Sequence, residues 1–288
     1  MSEPLDSAAI AAQNAESLQT LLRALQLSAG QFSLIFVRCD YLALREHIAA
    51  QLHAQCPLKI QTVTLPQTTE TIFTAIQREL GDAQPEALMV FGLEQVQNLD
   101  RVLRATNLIR EEFRKRFACP IVIWIHSGIL HSLIRQATDL ENWATTIVFQ
   151  STNAELVELL QRRIDSVFAQ ILTCREHLFL DAAALGLHPD SPQGLELQAA
   201  CQALAARDLN LAPELRASLA LVQGLIADNT TPVARSYYEH SLTIAQTLPP
   251  TIEQGYSQFY LGLWWGNWAA RHLPEREAAL VQAVDQLR

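Results

Sequence analysis

The chain has 288 residues, a formal net charge of -9 and a pI near 5.4. That acidity excludes sequence-independent binding to nucleic acid, which draws its affinity from releasing counterions around phosphates. An apolar content of 49% with only 18% charged residues excludes a disordered or fibrous chain, and the length points to two units, each able to bury a core.

The opening residues, MSEPLDSAAIAAQNAESLQ, lack the basic start and apolar run of a signal peptide. No uninterrupted apolar segment reaches the roughly twenty residues that cross a bilayer, so the expected location is the cytoplasm. Cys39, Cys56, Cys119, Cys174 and Cys201 are odd in number and scattered. They predict buried reduced thiols rather than a disulfide framework or a zinc site.

A helix is predicted from about Ala8 to Leu27. Short apolar runs rich in β-branched residues follow: LIFVRC from Leu34, IQTVTL from Ile60, ALMVFGLE from Ala87, PIVIWI from Pro120 and TTIVFQ from Thr145. They are continuously apolar rather than alternating, the pattern of strands covered by helices on both faces. Segments with helical spacing separate them, such as YLALREHIAAQLHAQ and NLDRVLRATNLIREEFRKRF, each long enough for a right-handed crossover. The prediction is a three-layer α/β domain over residues 30–152 with a mostly parallel five-stranded sheet, preceded by a helical segment over 1–29.

After Ser151 the strand signals stop. Leu156, Leu159, Leu160, Ile164, Val167, Phe168 and Ile171 keep helical spacing, and Gly186 with Pro189 to Pro192 interrupts it. Connecting helices are assigned to 153–212. The remainder, 213–288, reads as helices of moderate length punctuated by Pro213, Pro232, Pro249, Pro250 and Pro274. It contains an internal repeat of helix, turn, helix and Pro, carried by Leu221, Leu225, Ala234, Tyr238 and Leu248-Pro249, then by Leu261, Gly262 and Trp265 with Ala279 and Ala283. This pattern resembles tetratricopeptide (TPR) repeats. Two such repeats leave a solenoid end incompletely closed, since each repeat buries its face on a neighbour.

A phosphate-binding loop of the P-loop type needs glycines and a Lys-Ser or Lys-Thr pair after the first strand. Here LIFVRC runs directly into Asp40-Tyr41-Leu42-Ala43-Leu44-Arg45, and Asp40 would repel a phosphate. Glu94 ends the third strand where a metal-holding or water-activating carboxylate would stand, although a helix cap or ion-pair partner is the commoner role for a lone acid there.

Taken in order, V-R-C-D-Y-x-x-L-R from Val37, F-G-L-E from Phe91, N-x-x-R-E at Asn107, Arg110 and Glu111, PIVIWI, and A-T-D-L-E-N-W before T-I-V-F-Q are similar to a known bacterial arrangement. They resemble the degenerate ATPase-like domains, related to the signal-transducing STAND NTPases, that precede TPR arrays in multidomain proteins. The resemblance runs from about Phe32 to the end. It implies a P-loop-NTPase-like sheet used for interaction or switching, often without the phosphate loop. Where such relatives carry an Asp-Phe-Trp-x-Trp-Arg run, this chain has Asp139-Leu140-Glu141-Asn142-Trp143-Ala144, losing an aromatic and the Arg.

Four other constellations bear on function. Arg101, Arg104, Arg110, Arg114, Lys115 and Arg116 make one helical stretch basic, which a solvated helix face explains. His126-Ser127-Gly128 follows the fourth strand but does not fit G-x-S-x-G, and a βα loop with a Ser cap, starting the helix that carries Leu130, Leu133 and Ile134, accounts for it. His126 with His131, or His47 with His53, would need distant ligands to hold a metal. The densest aromatic segment contains Tyr256, Phe259, Tyr260, Trp264, Trp265 and Trp268. On a helix, Tyr260, Trp264 and Trp268 align at four-residue spacing, so Tyr256, Tyr260, Trp264 and Trp268 are the predicted partner-binding residues.

The sequence therefore predicts a non-enzymatic, protein-binding scaffold or adaptor with a pseudo-ATPase domain and TPR-like repeats, requiring neither cofactor nor metal. The alternative is a nucleotide-responsive switch that binds ATP or GTP by an atypical site near Arg38, Glu94 and Arg110. A hydrolase using the His126-Ser127 loop is the more distant rival.

Overall fold

Two separate compact units divide the chain between Thr152 and Asn153. The computed structural model describes residues 7–173, 182–188, 191–227, 231–249, 252–271 and 275–287. Cys174, Pro189, Pro250 and Pro274 lie outside them.

In the first unit, helix α1 (Ser7–Leu27) is followed by β1 (Ser33–Arg38), α2 (Leu42–Gln55), β2 (Ile60–Thr64), α3 (Ile72–Leu80) and β3 (Ala87–Phe91). Then come α4 (Leu99–Leu108), α5 (Arg110–Arg116), β4 (Pro120–Ile125), α6 (Ser127–Gln136), α7 (Thr138–Trp143) and β5 (Ala144–Val148). The five strands form one sheet in the order β2-β3-β4-β1-β5, and every pairing is parallel. The central strands explain the apolar runs. All six residues of β4 are buried, as are the inner four of β1.

Alternation along each strand divides the core in two. Leu34, Phe36, Leu88, Val90, Ile121 and Ile123 pack with residues of α3 to α7, including Ile72, Leu103, Phe113, Leu133 and Leu140. Ile35, Val37, Met89, Val122, Trp124 and Ile147 pack on the other face with Leu18, Leu21, Leu25, Ile48 and Leu52 of α1 and α2. The two edge strands depart from the expected continuous burial. Among the residues of β2 only Val63 is buried, and of β5 only Ile147, because an edge strand has a neighbour on one side alone.

Two sequence-based boundaries are revised. The long helix read over 98–117 is broken at Ile109 into α4 and α5, with Leu108 left 82% exposed at the break. The helix assigned to a separate 1–29 segment belongs to the α/β unit. Beyond its apolar face in the core, Asn14 Nδ2 donates to the Gln150 carbonyl at 2.7 Å, the Gln150 amide donates to Asn14 Oδ1 at 3.0 Å, and Ser17 Oγ donates to the Val148 carbonyl at 2.9 Å. These bonds satisfy backbone groups at the end of β5.

The second unit is helical: α8 (Asn153–Thr173), α9 (Pro192–Ala206), α10 (Pro213–Ile226), α11 (Pro232–Ala245), α12 (Ile252–Arg271) and α13 (Arg276–Leu287). Pro192, Pro213 and Pro232 stand at helix starts, where the missing N–H costs nothing and the fixed φ favours the first turn. The helices pack chiefly as consecutive pairs, α10 on α11 and α12 on α13, with α11 also against α12. Each pair uses a glycine at its closest approach. A Cβ on Gly224 would lie 2.3 Å from the Tyr238 ring, and one on Gly262 would lie 2.7 Å from Leu287 Cγ. Tyr238 in turn stacks on Tyr260 at 6.0 Å. Buried Ser241 donates to the Ala217 carbonyl at 2.7 Å and lies 2.9 Å from the Ser257 hydroxyl, linking α10, α11 and α12.

Gly224 and Gly266 both sit inside helices but differ in surroundings, since nothing lies within 4 Å of a Cβ placed on Gly266. Gly224→Ala is expected to destabilise by about 2 kcal/mol through overpacking against a ring that has no free end to move. Gly266→Ala is expected to stabilise by about 0.5–1 kcal/mol through helix propensity. Urea unfolding of both variants checks the opposite signs.

Candidate functional site

In an open parallel sheet, ligands bind outside the carboxyl ends of the strands where neighbouring connections diverge to opposite faces. Here that place lies between β1 and β4. The chain leaves β1 for α2 on one face and leaves β4 for α6 on the other. The residues at this edge are Arg38 to Tyr41 after β1, Gly92 to Glu94 after β3, and His126 and Ser127 after β4.

Asp40 occupies the point of divergence. Its Oδ1 accepts the Ser127 amide at 2.6 Å and its Oδ2 accepts the Ser127 hydroxyl at 2.7 Å. Ser127 is the first residue of α6, so the carboxylate lies at the positive end of a helix, the position a bound phosphate takes in nucleotide-binding folds. The anion at this helix is the chain's own.

Glu94 is positioned by Gly92, whose φ of 88° turns the chain out of β3. A Cβ there would lie 2.8 Å from the Leu65 carbonyl oxygen, so both the conformation and the space require glycine. Glu94, 6% exposed, accepts a hydrogen bond from Arg45 Nη1 at 2.7 Å. Arg45 also lies over the Phe91 ring at 5.5 Å, and Phe91 stacks on Trp124 at 5.7 Å. The carboxylate that sequence analysis left between catalytic and ion-pairing roles is thus held in an ion pair, by an arginine that was not singled out.

His126 precedes α6 and its Nδ1 accepts the Gly128 amide at 3.0 Å, so the helix cap is His126 and not the serine expected from sequence, whose hydroxyl donates to Asp40 instead. Burial lowers the tendency of His126 to take a proton, and the Arg45 charge acts in the same direction against Asp40 and Glu94, which favour protonation. Its bonding does not activate Ser127, whose hydroxyl proton goes to Asp40.

Arg38 ends β1 on the face that carries Phe36, and its Nε is buried without a hydrogen-bond partner among the described residues. Arg110 is not brought to this edge. It donates to the Asn107 carbonyl at 3.0 Å, lies 3.3 Å from Asp139, and sits 5.6 Å over the Trp143 ring. Trp143 immediately precedes β5 and packs on Phe32, just before β1, so Arg110 belongs to the amino-terminal edge of the sheet. Three more members of the basic run bond within the unit: Arg104 to Gln136, Lys115 to Glu112, and Arg116 to the Gly81 carbonyl.

Among the described residues no group of three or more His, Cys, Asp and Glu is arranged to hold a metal, and no helix is long and apolar enough to cross a membrane. Cys39 and Cys119 are buried, whereas Cys56 and Cys201 are only half-buried. Burial pushes the Cys119 and Cys201 thiols up to about 11.

The aromatic residues of α12 divide between core and surface. Tyr260 and Trp264 are each 2% exposed, and the Trp264 indole donates to the Thr231 carbonyl at 3.0 Å. Tyr256 is half-buried and stacks on Phe168 at 5.7 Å. Trp268, also half-buried, stacks on Trp264 at 5.0 Å and donates to Glu275 Oε2 at 3.1 Å. Of the four-residue stacking expected from sequence, the Trp264–Trp268 pair is present, whereas Tyr260 stacks on Tyr238 of α11. Tyr260 and Trp264 face inward, leaving Tyr256 and Trp268 as the accessible members of the predicted set.

Two outcomes are expected at the sheet edge. Arg45→Met leaves the buried Glu94 carboxylate without its cation and destabilises by about 3 kcal/mol, while the Arg45→Met/Glu94→Leu double variant recovers most of that loss; urea unfolding measures both. For His126, the folded state takes a proton less readily than the unfolded state, whose value is near 6.5. Its stabilising contribution is complete above that pH and is lost as pH falls through it toward the lower folded value. His126→Asn keeps an acceptor for the Gly128 amide but cannot titrate, so its melting temperature should fall less than the parent's between about pH 7.5 and about pH 5.5. Equal losses would refute the assignment.

No protein-family model matches the chain, and a search of curated proteins finds no significant match.

Proposed function

We propose that this chain is a non-catalytic adaptor, a cytoplasmic scaffold in which a pseudo-ATPase α/β unit is joined to a TPR-like helical unit that binds a protein partner. The observation that carries this reading is the Asp40 carboxylate at the start of α6, held by two charge-assisted hydrogen bonds of 2.6 and 2.7 Å. A nucleotide phosphate directed to the same helix would meet a fixed negative charge, and Asp40 would have to give up both bonds to admit it. The ion pair of Glu94 with Arg45 further reduces its availability for magnesium or water. The TPR-like assignment draws on the consecutive helix pairs, each with a glycine at its closest approach.

One observation favours the nucleotide-responsive alternative: the Arg38 Nε is buried at the same edge without a hydrogen-bond partner among the described residues. Thermal unfolding with and without millimolar magnesium-ATP or magnesium-GTP separates the two readings. A ligand selective for the folded state at about 100 times its Kd adds about 2.7 kcal/mol, a shift of several degrees at this size. The adaptor reading predicts no shift. A rise abolished by Arg38→Ala or Glu94→Ala would overturn it.

A further inference from the structure

The second unit contains a cation site built from tryptophans and occupied by one of its own arginines. The Arg235 guanidinium, on α11, lies 4.4 Å from the Trp265 ring centroid and 5.6 Å from that of Trp264. The two rings meet edge to face at 82°, with centroids 5.1 Å apart, so the cation faces two differently oriented π surfaces. Trp268 continues the aromatic surface by stacking on Trp264. Glu239 accepts a hydrogen bond from Arg235 Nε at 2.7 Å, and Glu275 lies at the far end, bonded to the Trp268 indole. Two indole faces with carboxylates at the margin form a receptor for a planar cation, because the ring quadrupole and the carboxylate both attract it.

The occupant is not locked in. The Arg235 and Glu239 side chains are 37% and 45% exposed, and Trp265 and Trp268 are half-buried. A buried structural arginine would be enclosed by its partners, whereas this one lies across an open surface. The charge of the unit favours a cationic visitor. Residues 153–288 contain fifteen acidic against nine basic residues, a net of -6, and every one of the nine is arginine.

We propose that this surface binds a protein segment presenting an arginine, whose guanidinium replaces that of Arg235 over the half-buried Trp265 face, beside the largely buried Trp264, and pairs with Glu239. Arg235 then acts as an internal competitor that sets the affinity, since a partner binds only the fraction of molecules in which the site has opened. The proposal rests on the adaptor reading and specifies the chemistry of its partner.

The test is titration of the full chain with three short Gly/Ser peptides, identical except for two central positions that are arginine, lysine or citrulline. Binding is read by tryptophan fluorescence and calorimetry at near-physiological salt. The arginine peptide is expected to bind, the lysine peptide several-fold more weakly because it lacks the planar fork, and the neutral citrulline peptide not at all. Arg235→Ala should tighten the arginine peptide about tenfold by removing the competitor. Trp265→Leu keeps an apolar side chain but removes the π face and should abolish arginine binding, so it tests the site even if Arg235→Ala fails to fold. Equal binding of the three peptides, no binding to the wild-type chain, or unchanged arginine binding in folded Trp265→Leu would each overturn the assignment. Those outcomes leave the adaptor reading intact, because that reading fails separately on a nucleotide-dependent rise in melting temperature.

Discussion

Strands β1 and β4 lie side by side and are buried on both faces, and most of the first unit follows from the need to cover two apolar surfaces at once. Right-handed crossovers place successive helices on one face while the chain moves one way along the sheet, and on the other face when it moves back. The step from β1 past β4 and β3 to β2 puts α2 on one side, and the return through β3, β4 and β5 puts α3 to α7 on the other. A divergence between the loops after β1 and β4 is the geometric consequence. The divergence is therefore a by-product of burial, and what a protein does there depends on the few residues that stand at it.

In this chain those residues neutralise one another. Asp40 supplies the anion for the start of α6, Arg45 supplies the cation for Glu94, and His126 is held toward its neutral form by its surroundings. Each of these contacts gives a polar or charged group at the carboxyl edge of the sheet a partner within the chain. The second unit carries the reverse organisation. Arg235 and Glu239 remain at the surface, and their pairing leaves a large part of each of these two side chains in water.

The architecture was legible because its signals are local. Continuous apolar runs identified the central strands, prolines marked turns between helices, two of them standing at the starts of α10 and α11, and the strand signals stop after Ser151, where the two compact units divide. The strand order was not legible, since parallel pairing joins residues far apart in sequence: Ser33 pairs with Pro120 and Leu34 with Ala144. The site was read in part for the same reason. Glu94 was found from its place at the end of a strand, but its partner Arg45 lies in an unremarkable helix. Asp40 was noticed as an obstacle to phosphate, yet nothing in the sequence ties it to Ser127, 87 positions away. Arg110 was grouped with Arg38 and Glu94 by chemistry, and only the fold separates them to opposite edges of the sheet. On α12 the four-residue spacing gave the Trp264–Trp268 stack, but spacing alone does not say which side of a helix its neighbours cover, and Tyr260 stacks on Tyr238 of α11 instead.

The bonds from Asn14 and Ser17 to the end of β5 have a consequence for how this protein avoids association with itself. A parallel sheet ends in a strand whose outer backbone groups can recruit another chain. Here α1 packs against that strand, fills the apolar surface beside it with Leu18, Leu21 and Leu25, and takes up the carbonyl of Val148 and both backbone groups of Gln150. The helix is a guard for the sheet. A chain shortened to begin near residue 30 would retain every strand, but would lose the buried leucines of α1 and present an uncovered apolar face beside an open edge, so it would forfeit stability and protection against strand addition together.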